Sequence, residues 1–579
     1  LSWKLAAKLK AQLEKEKGCY IFPAGQRERM ALVYPNSYFV GMSNLGIHII
    51  YDLMNRRNDT ACERFFLPEK KELDEYRRTN TPLMSLETQT PLAEFSLIAF
   101  AVSFEMDYFN LMDILSVGRV PLLASERGDS SPLVIAGGPC ATFNPEPLSD
   151  FVDAFIIGEG EEIMQHFMDA YYAAKADGAG KKELLKRLAE VDGVYVPSLY
   201  EHNFSEDGTL VSITPLEDAP EKVHRQWVKN LDEYPAHTVV VTDDTEFNLY
   251  LVETARGCGR HCRFCMAGYC FRRPRNRSLE VLQEEFRDGE KYGKRFGLMG
   301  AAISDYPEID ALCEGIISTG NTMSVASFRA DSVTAVLVDS LVKSGMRTLT
   351  LAPEAGSPRM RSVINKGITE EHLFHTLDLG LDAGIRHYRL YIMIGLPMET
   401  AEDIDAIADL TLRMKDYLEQ KDKKTTLTLS VNPFIPKPFT PFQWSPMADK
   451  KTIEAALKRL RQGIAGRKGI DMISEPPKSA LVQGVLARGD RRIAKVLCKA
   501  HEAGGAKAFL RAMKDCGLDA DFYLHRTRSR EECLPWSSLD MGLKDEYLWS
   551  EWERAKALKD TVPCFDGCQR CGVCGRTEE

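Results

Sequence analysis

Three cysteines stand close together at Cys258, Cys262 and Cys265, a C-x3-C-x2-C run inside Glu253-Thr-Ala-Arg-Gly-Cys-Gly-Arg-His-Cys-Arg-Phe-Cys-Met266. Thiolates are soft metal ligands, and three this close can share one site. Iron–sulfur clusters are held by cysteine thiolates, normally four of them. Three thiolates on a four-iron cluster leave one iron open to a substrate. The plainer alternative is a structural zinc site. Zinc takes four ligands, usually in pairs well separated along the chain, and this compact run has no obvious fourth partner.

The elements around the run must place it. Residues 249–254 are short, apolar and rich in β-formers, so they read as a buried strand. The cysteines then lie on the loop leaving a strand, where α/β barrels keep their chemistry. The spacing, the aromatic Phe264 before the third cysteine and the strand context together resemble the signature of the radical SAM superfamily. The resemblance implies a [4Fe-4S] cluster whose open iron is chelated by S-adenosylmethionine. One electron, from a reductase or a flavodoxin or ferredoxin partner, would cleave the sulfonium and release a 5'-deoxyadenosyl radical.

Further strands are expected at residues 296–303, 324–328, 348–351, 388–394 and 426–431, with helices between. Six repeats suggest a partial (β/α)6 barrel over residues 246–470, with functional groups at the strand C-termini. The second strand ends at Gly300, where the superfamily has a glycine-rich segment on the SAM amino group; the usual G-G-E is absent. The third offers Ser327 and Arg329. The fourth gives Glu354-Ala-Gly-Ser357, which resembles the family's E-x-G-S segment and implies that Glu354 meets the ribose or methionine part of SAM. An ion pair between Arg329 and Glu354 across the barrel mouth is the competing reading, since buried charges are rarely left unpaired. The fifth ends in Gly395-Leu-Pro-Met-Glu-Thr400, an architectural turn in which Thr400 with Glu399 can start the next helix. The proline-rich stretch 433–444 is expected to be extended, its aromatics available to cover the barrel mouth or to form a surface crossover.

Residues 1–235 alternate differently. A lysine- and leucine-rich amphipathic helix at 3–17 precedes strand candidates at 30–34, 97–103, 133–136 and 154–157, with helical patterns such as 45–55 and 108–115 between. That order predicts an open, doubly wound parallel sheet, Rossmann-like in kind. Gly137, Gly138, Gly158 and Gly160 close two of the strands, and simple turn chemistry would account for isolated pairs. In order and setting, however, the segments from Ser43, Ile135 and Ile157 resemble the cobalamin-binding type domain found ahead of many radical SAM domains. The resemblance implies that these glycines cradle a corrinoid. The D-x-H-x-x-G motif that supplies a lower ligand to cobalt is absent, and His48 lies on an apolar helix face, the setting of a packed core histidine. Residues 200–245 read as a small β excursion, with Asp207-Gly208 as a hairpin signal, and then a linker.

Residues 471–579 are expected to be mainly helical, at 481–500, 506–514 and 544–558, and to end in a second cysteine run, Cys564, Cys568, Cys571 and Cys574. Four thiolates in so short a run suit an auxiliary iron–sulfur cluster or a zinc knot.

Composition bounds the rest. A chain of 579 residues exceeds one core, so several domains are expected. Fifteen cysteines without a visible secretory signal point to metal chemistry in a reducing, cytoplasmic setting rather than a disulfide framework. Leu1 is not methionine, so residues are expected to precede it. No apolar run is long enough for a bilayer. The net charge of -10 gives no global nucleic-acid footprint, but basic runs at Arg272–Arg277 and Arg488–Arg492 leave RNA open beside protein and small-molecule substrates. The combined reading is a radical SAM enzyme methylating an unactivated carbon with cobalamin as methyl carrier. A cobalamin-independent enzyme with an auxiliary cluster, methylthiotransferase-like, is the alternative. An iron–sulfur sensor module is the non-enzymatic one.

Overall fold

The computed structural model describes residues 2–574, the side chain of Asp545 excepted. The chain forms two compact units. The first comprises Leu1–Leu249, Leu486–Ala520 and Glu531–Met541, the second Tyr250–Val485, Asp521–Arg530 and Gly542–Glu579. Residues 471–579, expected as one helical region, are thus shared between the two.

The first unit is built on β1 (Glu28–Tyr34), β2 (Thr60–Phe66), β3 (Leu97–Ala101), β4 (Leu133–Gly137), β5 (Ala154–Ile156) and β6 (Val194–Tyr195). They form one sheet in the order 2-1-3-4-5-6. All neighbours are parallel except the last pair, β5 with β6. β1, β3, β4 and β5 are buried almost throughout, as parallel strands covered on both faces should be. The expected α/β doubly wound class is the one observed. Helix Leu45–Asn55 is capped by Asn44, whose side chain accepts from the Ile47 amide. The hairpin signal at Asp207-Gly208 joins Tyr200–Phe204 to Leu210–Pro215 in antiparallel register.

β2 is absent from the sequence expectation, because Glu63 and Arg64 interrupt its apolar pattern. Both are buried. The Arg64 guanidinium donates to Glu16 at 2.5 and 3.0 Å and to Glu87 at 2.7 Å, and lies 4.7 Å from the Tyr51 ring centroid. A buried charge survives only when paired and hydrogen-bonded, and this one is.

The second unit carries β7 (Leu249–Glu253), β8 (Arg295–Met299) and β9 (Met323–Ser324) as one sheet. A second, all-parallel sheet holds β10 (Thr348–Glu354), β11 (His387–Ile394), β12 (Thr426–Pro433) and β13 (Ile470–Ser474) in sequence order. Helices alternate with the strands, as a partial barrel requires. β13 is a seventh strand beyond the six expected. Its half-exposed Ile-Asp-Met-Ile-Ser pattern lacks the buried run that marked the others. β9 shrinks to two residues where five were expected.

β10 to β12 alternate strictly. Leu349, Leu351, Tyr388, Leu390, Leu427 and Leu429 are buried on one face. Thr350, Arg389 and Thr428 share the other, half-exposed face in register, as do Tyr391 and Ser430. A filled barrel would bury both faces. This one leaves a polar inner face.

Candidate active site

β7 delivers the cysteine loop. Directly after it, Ala255–Arg256 pairs antiparallel with Arg275–Asn276, so the three cysteines lie on an excursion pinched at its base. Cys262 is buried, and Cys258 and Cys265 are half-buried. Burial pushes the Cys265 thiol up to about 11, with Cys262 and Cys258 adding to the shift. Burial and then Cys262 also raise Cys258. Cys258 and Cys265 are therefore held as thiols, and binding a metal there must displace their protons.

Positive charge stands ready to offset the thiolates. The Arg329 guanidinium approaches the Cys262 sulfur at 3.8 Å, and its other nitrogens hold Asp331 at 2.9 and 3.1 Å. Arg260, inside the spacer between Cys258 and Cys262, pairs with Asp305 and, at 2.8 Å, with Asp331. Lys366 lies 3.1 Å from Glu354, and its ammonium lies 5.6 Å from the Phe264 ring centroid. One network thus joins the loop to residues following β8 and β9 and to the end of β10. Arg329 and Glu354 each have another partner, so the ion pair weighed between them is not formed. Glu354 has a left-handed backbone, φ 64°, where the register of β10 and β11 shifts. An L-residue adopts that conformation at some cost, a pattern found at functional sites.

The other expected positions are placed as follows. Gly300 is exposed, and a side chain there would press on Ile303 and on the backbone of Ala255. Ser327 is half-exposed two residues before Arg329. Thr400 caps helix Ala401–Lys421 with Asp403, but Glu399 does not help to start it. Its carboxylate instead accepts from the Gly395 amide at 2.6 Å, and burial pushes it up to about 8. Phe264 packs on a core of Ala355, Met360, Leu396, Phe434, Phe442 and Trp552. The aromatics of the proline-rich stretch therefore anchor the loop from behind.

The basic run after the loop is largely internal, not an open anion surface. Arg272, Arg275 and Arg277 are buried, and Arg277 donates to Glu253 at 2.8 Å. In the first unit, Arg491 likewise holds Glu146 at 3.0 Å and Arg492 holds Asp490.

Gly137, Gly138, Gly158 and Gly160 of the first unit are packed against their own chain. A Cβ on Gly138, φ 96°, would lie 2.8 Å from the Val102 carbonyl oxygen, and one on Gly158, φ 121°, 2.0 Å from that of Gln226. At Gly160 the Ile50 side chain fills the space, and Gly137 meets Ile156 in ordinary contact. Close packing of the chain on itself explains the first three. His48 is buried, with Nε2 3.1 Å from the Met42 carbonyl oxygen, and it is a packed core histidine as expected. A cavity of about 490 Å³ under the amino-terminal helix, lined by Leu5, Lys8, Tyr38, Arg64 and Phe66 among others, includes none of these glycines. The strand order instead puts the topological switch point between β1 and β3. Asn36, Ser103 and the exposed Phe104 follow those strands.

The terminal cysteines pack against the first run. The Cys564 amide donates to the Gly259 carbonyl at 2.8 Å, and the His261 Nε2 lies 3.1 Å from the Cys564 sulfur. None of the fifteen cysteines is in a disulfide. Among the described residues no three His, Cys, Asp or Glu side chains converge on a point that would hold a single ion. A four-iron cluster distributes its thiolates over separate irons and requires no such point.

Two family models match: the radical SAM superfamily over residues 252–411 and radical SAM proteins, N-terminal, over residues 46–197. An uncharacterized protein of Methanocaldococcus jannaschii is 30% identical over 478 residues, 81% of this chain and 90% of that one. The chain belongs to the radical SAM superfamily. An uncharacterized methyltransferase of Pyrococcus horikoshii is 25% identical over 307 residues, 49% of this chain and 59% of that one. The structure of the cobalamin-dependent S-adenosylmethionine radical enzyme OxsB, with aqua-cobalamin and S-adenosylmethionine bound, is 16% identical. It covers 69% of this chain and 55% of that one at a TM-score of 0.45, too low to transfer anything.

As a radical SAM enzyme, the chain has residues in its second unit that sequence reasoning missed. Lys366 follows helix Pro358–Val363 and carries no motif. His261 hides in the variable spacer of the cysteine run. Arg389 faces the polar inner side with its Nε buried and unbonded among the described residues. A charged residue in the middle of an otherwise alternating strand was the signal available for it. No helix among the described residues is long and apolar enough to cross a membrane.

Proposed function

We propose that the chain cleaves S-adenosylmethionine at the loop of Cys258, Cys262 and Cys265, to activate an unactivated carbon of its substrate for methyl transfer. Held there by the three cysteines, a [4Fe-4S] cluster would supply an open iron for S-adenosylmethionine and, once reduced by an external one-electron donor, the electron that splits the sulfonium. The observation that carries the reading is the loop itself: three thiols on one excursion, with Arg329 at 3.8 Å from Cys262. The donor set suits the cluster, being thiols alone, with cationic side chains beside them to balance the charge. Arg260, Arg329 and Lys366 hold the loop to the strand ends and keep positive charge beside the sulfurs. Glu354 is oriented by Lys366 at the end of β10, where a SAM hydroxyl or amino group is its natural partner. The methyltransferase name of the Pyrococcus relative supports the choice of methyl transfer.

Cobalamin as methyl carrier is a second reading, favoured by the sheet order of the first unit. Sheets of the order 2-1-3-4-5 bind cofactors at the β1/β3 switch point. The glycines first expected to form the cradle are packed on their own chain, so the switch point, and not those glycines, supports this reading.

The test is anaerobic protein incubated with S-adenosylmethionine and a strong reductant, with 5'-deoxyadenosine and bound corrinoid both measured. Wild type is expected to form 5'-deoxyadenosine, and Cys262→Ala to form none. Unchanged formation by a well-folded Cys262→Ala protein would sink the assignment. Stoichiometric corrinoid would support the second reading, and none would remove it.

A further inference from the structure

We propose that Cys564, Cys568, Cys571 and Cys574 hold a second iron–sulfur cluster, and that His261 donates a hydrogen bond to one of its ligand sulfurs from inside the spacer of the first cysteine run. The four thiols form one unbroken run, whereas zinc sites commonly space their ligands in separated pairs. Cys568 and Cys571 are buried at 4% and 2% exposure. Backbone bonds fix the segment: the Cys564 amide to Gly259, the Cys568 amide to Phe565, and the Lys544 amide to the Cys571 carbonyl.

The tautomer of His261 follows from its neighbours. Its Nδ1 faces the Arg272 guanidinium at 3.0 Å and the Tyr547 hydroxyl. A guanidinium can only donate, so Nδ1 is the acceptor and the ring proton sits on Nε2. That N–H points at the Cys564 sulfur, 3.1 Å away. His261 is therefore a donor to the thiolate, not itself a metal ligand. A second donor, the Arg570 Nε, lies 3.2 Å from the Cys568 sulfur, and the same guanidinium holds the Val562 and Pro563 carbonyls at 2.8 Å. Hydrogen bonds to sulfur set the potential of an iron–sulfur cluster, while zinc has no potential to set. The backbone of His261 belongs to the first run and its imidazole serves the second, so it is a positioning residue shared by both. Only that sharing rests on the function proposed above; the second cluster does not.

The experiment measures iron, zinc and acid-labile sulfide in anaerobically purified full-length protein. Wild type is expected to carry about eight irons and no zinc, and Cys568→Ser/Cys571→Ser about four irons. The triple variant Cys258→Ser/Cys262→Ser/Cys265→Ser is expected to keep about four irons, giving the second cluster alone. In that background His261→Leu should shift the cluster midpoint downward, and His261→Gln, which restores a side-chain N–H, should return it. About four irons and one zinc in wild type would overturn the second cluster and leave the first standing. No iron in wild type would overturn both. A midpoint indifferent to His261→Leu would remove the role given to His261. The wild-type counts decide the cluster even where a variant fails to fold.

Discussion

At the barrel mouth, Lys366 holds Glu354 at 3.1 Å, with both side chains largely buried. Removing one member of such a pair strands the other, at a cost of about 3–5 kcal/mol. Lys366→Met is expected to destabilise by roughly that amount, and Lys366→Met/Glu354→Gln to recover most of it. Strictly additive effects in a denaturation series would show that the pair is not coupled. Glu399 gives a pH signature. Its folded carboxyl is pushed from the ordinary 4.5 up to about 8 by burial. The folded chain thus holds this proton more tightly than the unfolded one. The group favours folding most below pH about 4.5, and that advantage is lost as the pH rises to about 8. Glu399→Gln should flatten the fall in stability across that window, and an unchanged slope would assign it to other groups. The cysteines were legible as residues because their spacing is local. Lys366 and His261 were not, because their partners lie 12 and 303 residues away.

The elements that sequence revealed were those whose burial is apolar. β1, β3, β4, β10, β11 and β12 emerge within a few residues, because an apolar strand between turn residues has few other readings. β2 stayed hidden because its stability is partly electrostatic. Arg64→Met should cost the fold about 3–5 kcal/mol, since Glu16 and Glu87 would be left buried without a cation. The glycines after β4 and β5 were legible as special positions but not in their purpose. A turn that must accommodate a ligand and one that must accommodate a neighbouring strand select the same residue. Gly160→Ala separates the two, because its backbone is one that alanine also adopts. If Ile50 is what the glycine makes room for, the alanine protein melts lower without any cofactor. A ligand cradle predicts no fall in melting temperature in the cofactor-free chain.

At the scale of the molecule, the chain passes repeatedly between its two units. The first unit is completed by distant segments. Leu539–Asp540 pairs with Val223–His224, and Phe509 packs on Phe109 at 5.7 Å between ring centroids. Sequence order alone, which set a boundary near residue 471, carries no sign of such returns, because each returning segment reads as an ordinary helix or short strand. A fragment ending at residue 249 is expected to be poorly soluble or to unfold at lower temperature than the same unit in the full chain. A monomeric fragment with an unchanged melting temperature would show the returning segments to be dispensable.

The contact between His261 and Cys564 spans 303 residues of chain. A ribosome adding about 5–20 residues per second needs on the order of 15–60 s to make that stretch. Throughout that interval the first cysteine loop exists without the terminal run that packs on it in the finished protein, so one set of thiols is complete well before the other has been made.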